Sequence, residues 1–359
     1  MKTPIIEGLT QAGIESYLAA RQYEALYWPN FFPLKPVNSL DGKTLIGAVG
    51  SRVAAHVISY DAKAPEATRK AISTKYFDIP KVAVKRVKTE KEILEHQITK
   101  AIQGQNAVIE DYFNDIDFVF DSAQGRMEWF ALQALSLTKM QLSTTNNPQG
   151  IVNETVIDFG MPAANKKCAA VVWSTGNAAT MTPIADFKAV VKAGRAKGIT
   201  FSKALMNPDA FDLITGCAEF QTAAKSLLIG ESQILGMMGL DTANKILTAL
   251  RLPTISLIET SVGIEAKSGV VTQVNPFDVN HVTFIPDLAC GNMYSGPIAE
   301  ELEKPMDVIQ AKKANVLISI KKEFDPVSVT TKGECNVFPS WANVDRCFSL
   351  YTQHTSTWA

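Results

Sequence analysis

From Asn106 to Leu142, apolar side chains recur at Ile109, Phe113, Ile116, Phe120, Ala123, Met127, Phe130, Ala134 and Leu137. Steps of three and four put them on one continuous face of a helix. Unbroken, that helix would span roughly 55 Å at about 1.5 Å per residue, longer than most helices of a compact domain. Gly125 lowers helix propensity midway and is the expected point of a bend or a split. A helix of this length is expected to act as the spine of an elongated subunit.

The pattern on either side of the spine changes several times. Residues 1 to 42 open with a short helical stripe (Ile14, Leu18, Tyr23, Leu26) and run into Tyr27-Trp28-Pro29-Asn30-Phe31-Phe32-Pro33-Leu34-Lys35-Pro36. Three prolines among four aromatics predict an extended arm whose rings need another surface to cover them. Thr44 to Tyr60 and Thr74 to Val87 read as strands around a turn at Asp61-Ala62-Lys63-Ala64-Pro65, giving a long two-stranded excursion. An isolated hairpin is marginal in water, so the excursion must lie on its own body or on a neighbour. Thr89 to Gln103 is helical and feeds the spine, and Val152 to Phe159 alternates like a strand.

A second body begins near Thr182. Thr182 in the cap position and Pro183 in the first turn start a helix that runs to about Lys197, with Gly198 as its stop. Ser202 to Met206 is a short strand. Asn207-Pro208-Asp209 caps the next helix, Thr242 to Leu250 forms another, and strands follow at Thr254 to Thr260, Val270 to Val274 and Val282 to Ile285. Residues 326 to 359 return to strand character and end in Phe348-Ser349-Leu350-Tyr351. The order mixes helix and strand without strict βαβ alternation, which makes the class α+β.

Composition narrows the function more by exclusion than by assertion. A chain of 359 residues with 46% hydrophobic content can bury a sizeable core. Its formal net charge of −1 argues against work done mainly by binding nucleic acid through overall charge. The excursion is nonetheless locally basic: Lys43, Arg52, Lys63, Arg69, Lys70, Lys75, Lys81, Lys85, Arg86 and Lys88 face only Asp61, Glu66 and Asp78. Without interleaved stacking aromatics, these charges suit an acidic protein neighbour better than a single-stranded nucleic acid. The five cysteines, Cys168, Cys217, Cys290, Cys335 and Cys347, have no C-x-x-C spacing and read as reduced, buried thiols of a cytosolic protein. No apolar run approaches the roughly 18 residues of a spanning helix, and Met1-Lys2-Thr3-Pro4 opens no signal core, so neither a membrane partner nor secretion is expected.

Catalytic and cofactor chemistry is missing from the pattern. His56, His96, His281 and His354 are scattered and lie in no metal-binding helix motif. Neither G-x-G-x-x-G nor G-x-x-x-x-G-K-[ST] occurs. Gly230-Glu231-Ser232-Gln233-Ile234 starts like a nucleophile elbow but lacks the closing glycine. Asp111, Asp115, Asp117 and Asp121 could hold a cation on one helix face, but acids early in a helix also favour its dipole and solvate its outer face, which is the preferred reading. No catalytic, cofactor-binding or metal residue is assigned.

An aromatic arm, a projecting basic hairpin, a spine helix beside a sheet and an α+β body describe a subunit shaped for assembly. At this point the chain resembles a family, the major capsid proteins of tailed phages, specifically the capsid protein E or lambda type with the Hong Kong 97-like fold. Phe31-Phe32-Pro33 followed by Asp41-Gly42-Lys43-Thr44-Leu45 is similar to the arm entering the extended loop, and Arg126-Met127-Glu128-Trp129 with Gln133-Ala134-Leu135 to the end of the spine helix. Pro183-Ile184-Ala185-Asp186, Met206-Asn207-Pro208-Asp209-Ala210-Phe211, Phe284-Ile285-Pro286-Asp287 and Tyr294-Ser295-Gly296-Pro297 resemble axial-domain passages. Phe338-Pro339-Ser340-Trp341 leading to Cys347-Phe348-Ser349-Leu350 resembles the closing peripheral strand. After Gln133-Ala134-Leu135 relatives often turn at a glycine, whereas Leu137-Thr138-Lys139-Met140 continues here.

The resemblance implies an arm over 1–42, an extended loop over 43–90, a peripheral domain over 91–181 and 326–359, and an axial domain over 182–325. It implies self-assembly through hexamers and pentamers into an icosahedral shell around double-stranded phage DNA on its inner face, in a virion assembled in the bacterial cytoplasm. Portal protein and possibly a decoration protein are implied partners. So is a separate scaffolding protein, because only about 40 residues precede the excursion. Arg52, Arg69, Lys70 and Lys75 are expected to meet acids of an adjacent subunit, with Trp28, Phe31 and Phe32 as apolar anchors of the arm. Relatives swing the axial domain at maturation, which makes Gly125 a candidate flex point. Two other classes stay open: a nanocompartment shell of the same fold that packages a cargo enzyme, and an α+β enzyme.

Overall fold

The computed structural model describes residues 10–46, 73–103, 105–150, 156–227, 238–286 and 289–358. Its spine is one helix of 33 residues, Gln105–Leu137, unbroken at Gly125. Gly125 is not held there by crowding: a Cβ in its place would meet only Val262 Cγ1 at 3.6 Å, an ordinary contact. The helix ends at Leu137 without the family's glycine. Thr138 takes the left-handed turn itself, at φ 56, and its N–H still donates to Ala134 O at 3.0 Å.

The spine lies across a six-stranded sheet built on one long strand, Ser328–Ser340. On one side this hub strand pairs antiparallel with Val316–Glu323, which forms a hairpin with Val308–Lys313. The other side of the hub strand pairs antiparallel with Lys81–Lys88; beyond these pairings the strand continues against Asn292–Ser295, to which the arm adds Leu34–Pro36 in parallel at the edge. Ile116, Val119, Phe120, Ala123, Met127 and Phe130 of the spine are buried against Ile318, Ile320, Cys335, Val337 and Phe338 of the sheet. The periodic stripe of the sequence is thus the floor of the first core.

A second core lies around a five-stranded sheet in the order Lys166–Cys168, Phe348–Tyr351, His281–Ile285, Lys203–Met206, Thr254–Leu257, antiparallel at its centre and parallel at both edges. Helices Pro183–Ala196, Pro208–Thr215, Ala218–Leu227 and Leu240–Ala249 surround it, and Phe187, Phe220, Ile246, Phe284 and Phe348 fill its interior. Asn207 caps its helix as expected, its Oδ1 accepting from Asp209 N–H at 3.0 Å. Thr182 occupies the cap position, but its side chain makes no capping bond. Glu219 of a neighbouring helix accepts the Ile184 and Ala185 N–H groups instead, at 2.7 and 3.2 Å.

These pairings redraw the domain limits expected from the sequence. Lys81–Lys88 belongs to the hub sheet rather than to the excursion, whose paired base is Asp41–Ile46 with Ser73–Asp78. Val308–Lys313 and Val316–Glu323 join the first sheet, and Phe348–Tyr351 joins the second. The chain therefore crosses between the sheets late, from Ile285 to Asn292 and back from Ser340 to Phe348.

Candidate assembly surfaces

The arm is not an open strap. Trp28–Phe31 is a turn of helix rather than extended chain, and Trp28, Phe31 and Phe32 are buried in the first core of their own chain, Phe32 completely. Phe32 meets Trp341 edge-on at 6.5 Å. The rings do need another surface, as their composition requires, but the subunit supplies it, so the expectation of three arm anchors on a neighbour is corrected. Glu128 holds the arm in place from the middle of the spine. Fully buried, its carboxylate accepts the N–H groups of Tyr27 at 3.0 Å and Trp28 at 2.8 Å, while Trp28 Nε1–H donates to Gln124 at 3.2 Å. Burial raises its pKa, and the two N–H donors offset only part of that rise.

Of the four aspartates on the spine, Asp111, Asp115 and Asp117 are paired within the subunit, and Asp121 is exposed as a solvated face predicts. Asp117 accepts from Tyr17 Oη–H at 2.6 Å and Tyr23 Oη–H at 3.1 Å and pairs with Arg21 Nε at 3.1 Å, fixing the arm's first helix. Burial first, then this carboxylate, pushes the Tyr17 phenol up to about 12. Asp111 and Asp115 pair with Lys88 Nζ at 2.6 and 2.9 Å, and Asp115 also meets Arg86 at 3.4 Å. Arg86 lies 3.6 Å from the centre of the Phe118 ring. Two of the basic residues counted toward the excursion are therefore spent within the subunit, pinning Lys81–Lys88 to the spine. A third, Lys81, shares the nearly buried Glu334 with Lys332, both at 2.7 Å. Burial opposes ionisation of Glu334, but the two ammonium groups outweigh it and hold its carboxyl below the usual range. Sequence reasoning missed Glu128 and Glu334; for Glu128 the sign available was a lone acid among Met127, Trp129 and Phe130, and Glu334 carried no such sign.

Arg52, Arg69 and Lys70 lie outside the described residues, as does the turn expected at 61–65. Lys75 is on the strand Ser73–Asp78, opposite Thr44. Nothing in the described residues brings these four basic positions together.

Apolar surface is left open at one end of the hub sheet. Met306 is 85% and Phe324 91% exposed; elsewhere Leu302, Leu94, Ile98, Val270 and Val271 are also exposed. Val308 pairs with Lys321, and Glu323 with Ser328. Met306 and Phe324 therefore stand at the same end of the sheet. Single exposed apolar residues are ordinary, but large ones gathered on one element end mark a contact surface.

Among the described residues no group of three His, Cys, Asp or Glu could hold a metal ion, and no helix is long and apolar enough to cross a membrane. His281 is buried, stacked on Tyr351 at 4.9 Å and bonded through Nδ1 to Asp278 at 2.8 Å. All five cysteines are free, and Cys168 is partly exposed rather than buried.

The family model described as phage major capsid protein E matches residues 47–351. Among solved structures, the chain is similar to a protein assigned as the capsid protein of a prophage of E. coli CFT073. That likeness has a TM-score of 0.52 and 13% identity and covers 96% of this chain and 99% of the other. A phage-related protein from Bordetella bronchiseptica RB50 is similar at TM-score 0.50 and 11% identity, over 97% of this chain and 98% of that one. No curated protein sequence matches. The structural likenesses carry the α+β, Hong Kong 97-like fold, and the family model spans most of the chain. The chain belongs to the phage major capsid protein E family, and its role is that of a structural shell protein.

Proposed function

We propose that this subunit assembles through hexamers and pentamers into an icosahedral shell that encloses double-stranded phage DNA in a virion, built in the cytoplasm of a bacterial host. The observation that carries this reading is the uncovered apolar end of the hub sheet, Met306 and Phe324. Such an end is stable in water only at a cost of about 1.5–3 kcal/mol per large side chain, which burial against another copy recovers. The basic residues Arg52, Arg69, Lys70 and Lys75 of the excursion then meet acids of an adjacent copy. The first core, with the spine, serves as the peripheral domain and the second as the axial domain. A separate scaffolding protein and a portal are the partners of assembly.

Size-exclusion chromatography with negative-stain microscopy tests the reading, on the purified chain with and without a co-expressed scaffold candidate. Rings, sheets or closed shells are expected, and the double variant Met306→Ser, Phe324→Ser should shift the population to single subunits with unchanged circular dichroism. Particles that remain monomeric or dimeric under all these conditions would refute it.

A further inference from the structure

Two cysteines occupy the two late crossovers between the sheets. Cys290 lies between strands His281–Ile285 and Asn292–Ser295, and Cys347 between Ser328–Ser340 and Phe348–Tyr351. The backbone holds the two crossovers against each other. Asn343 N–H donates to Cys290 O at 3.0 Å, and Asn343 Nδ2–H donates to Ala289 O at 2.8 Å. The Cys347 thiol donates to Asn343 O at 3.5 Å, and Cys290 N–H is fixed by Phe31 O at 2.9 Å. Both side chains are essentially unexposed. Cys290 and Cys347 thus flank Asn343 from either side, and the neighbouring Cys347 thiol, together with burial, pushes the Cys290 thiol well up. Cys168, Cys217 and Cys335 lie on other elements: an edge strand, a junction between helices and the hub strand.

We propose that Cys290 and Cys347 form a redox-sensitive dithiol that closes to a disulfide on meeting an oxidised low-molecular-weight disulfide, stapling the two crossovers together. One cysteine, as its thiolate, attacks a sulfur of the small disulfide, forming a mixed disulfide and expelling one small thiolate. The other cysteine then displaces the second small thiolate and closes the protein disulfide. Two electrons pass from the cysteines to the small disulfide, and the two cysteine protons end on the two small thiols released. A disulfide needs sulfurs ~2.0 Å apart, and the bonds through Asn343 hold the two crossovers side by side for that closure.

The environment sets the rate of this step. A thiol held above its ordinary range presents little thiolate, so the folded pair oxidises slowly and mainly during local opening. In a reducing cytoplasm it stays open; in an oxidising medium it closes with time. That it meets such a medium rests on the reading of this chain as a virion subunit, but the pairing itself does not. Once closed, the ring from Cys290 to Cys347 encloses the hub strand and its hairpin, and the two sheets can no longer turn about independent crossovers.

The experiment uses the full, unassembled chain. It is incubated under native conditions with oxidised glutathione, quenched in acid, alkylated under denaturing conditions and digested without reductant. The expected result is a linked pair of peptides containing Cys290 and Cys347, with two of the five free thiols lost and restored by dithiothreitol. The melting temperature should rise by on the order of 5 °C. Cys347→Ala should give no linked pair and no oxidant-dependent shift. Retention of all five thiols, glutathione adducts without a link, or a link between other cysteines would overturn the proposal, and the mapping decides this on the unaltered chain even where the variant folds poorly. Because the readout needs no shell, failure of pairing leaves the assembly reading standing, and failure to assemble leaves pairing measurable.

Discussion

Replacing Gly333 by Ala tests how closely the spine sits on the hub sheet. Gly333 is in the middle of strand Ser328–Ser340, between Val84 and Ile318 of the flanking strands. The spine passes directly over it: a Cβ at this position would lie 2.8 Å from Val119 O, 2.9 Å from Val119 Cβ and 3.2 Å from Val119 C. Two of those three atoms are backbone, so no side-chain rotation clears them, and helix or strand must move. Separating two packed surfaces by ~0.5–1 Å forfeits a quarter to a half of each contact's attraction. Here that loss extends to Ile116, Phe120 and Ala123, which share the face. Overpacking costs roughly 1–3 kcal/mol, and a backbone collision belongs at the upper end, so about 3 kcal/mol is expected, a fall in melting temperature of roughly 4–8 °C. Thermal denaturation followed by circular dichroism reads it, with Gly239→Ala as the control because nothing lies within 4 Å of a Cβ there. The sign is decisive, since Ala for Gly in an uncrowded strand is stabilising by about 0.5–1 kcal/mol. A Gly333→Ala protein that melts at or above the parent temperature would refute the close approach.

Two buried acids should show opposite pH dependence. Burial holds the Glu128 carboxyl above its ordinary value of 4.5, so its contribution is greatest at low pH and declines as pH rises from 4.5 through the raised value. The urea midpoint of Glu128→Gln should therefore lie furthest below the parent in acid and approach it as pH rises; a pH-independent gap would refute the assignment. Glu334, held below 4.5 by Lys332 and Lys81 against the effect of burial, contributes above 4.5 and loses its contribution as pH falls through the lowered value. The gap between parent and Glu334→Gln should then close in acid, and a gap that widens there would count against the pairing. Gly125→Ala should stabilise the spine by roughly 0.5–1 kcal/mol, because Val262 offers ordinary contact at 3.6 Å; unchanged shell expansion in this variant would remove Gly125 as a flex point. Arg69→Glu combined with Lys70→Glu should block assembly while leaving the melting temperature of the subunit unchanged, and normal shells would sink the proposed contact.

The spine, the second-body helices and most short strands were legible because their cause is local. Periodicity, the Asn207 cap and the Gly198 stop act within a few residues of where they are read. Lys81–Lys88 looked like half of a hairpin because any basic, β-branched stretch does; its partner, Ser328–Ser340, lies at the far end of the sequence. The aspartates failed for a related reason. A helix face that carries Asp111, Asp115 and Asp117 looks solvated until Lys88, Arg86, Arg21 and two tyrosines are known to lie on it. In each case the residue type was read correctly, and the unknown was what lies opposite.

The same distinction governs assembly. The aromatic arm announced a need for cover without saying whose cover, and Glu128 settles it within the subunit by fixing the backbone of Tyr27 and Trp28. With the rings of Trp28, Phe31 and Phe32 already buried at home, what the described residues leave to offer another copy includes the small apolar end at Met306 and Phe324 and the exposed Leu94, Ile98 and Val270. Each such contact is worth only a few kcal/mol, less where it is charged and open to salt. A shell built from these contacts gains its stability from their number, and a subunit attached by one of them alone can leave again before a misplaced geometry is locked in.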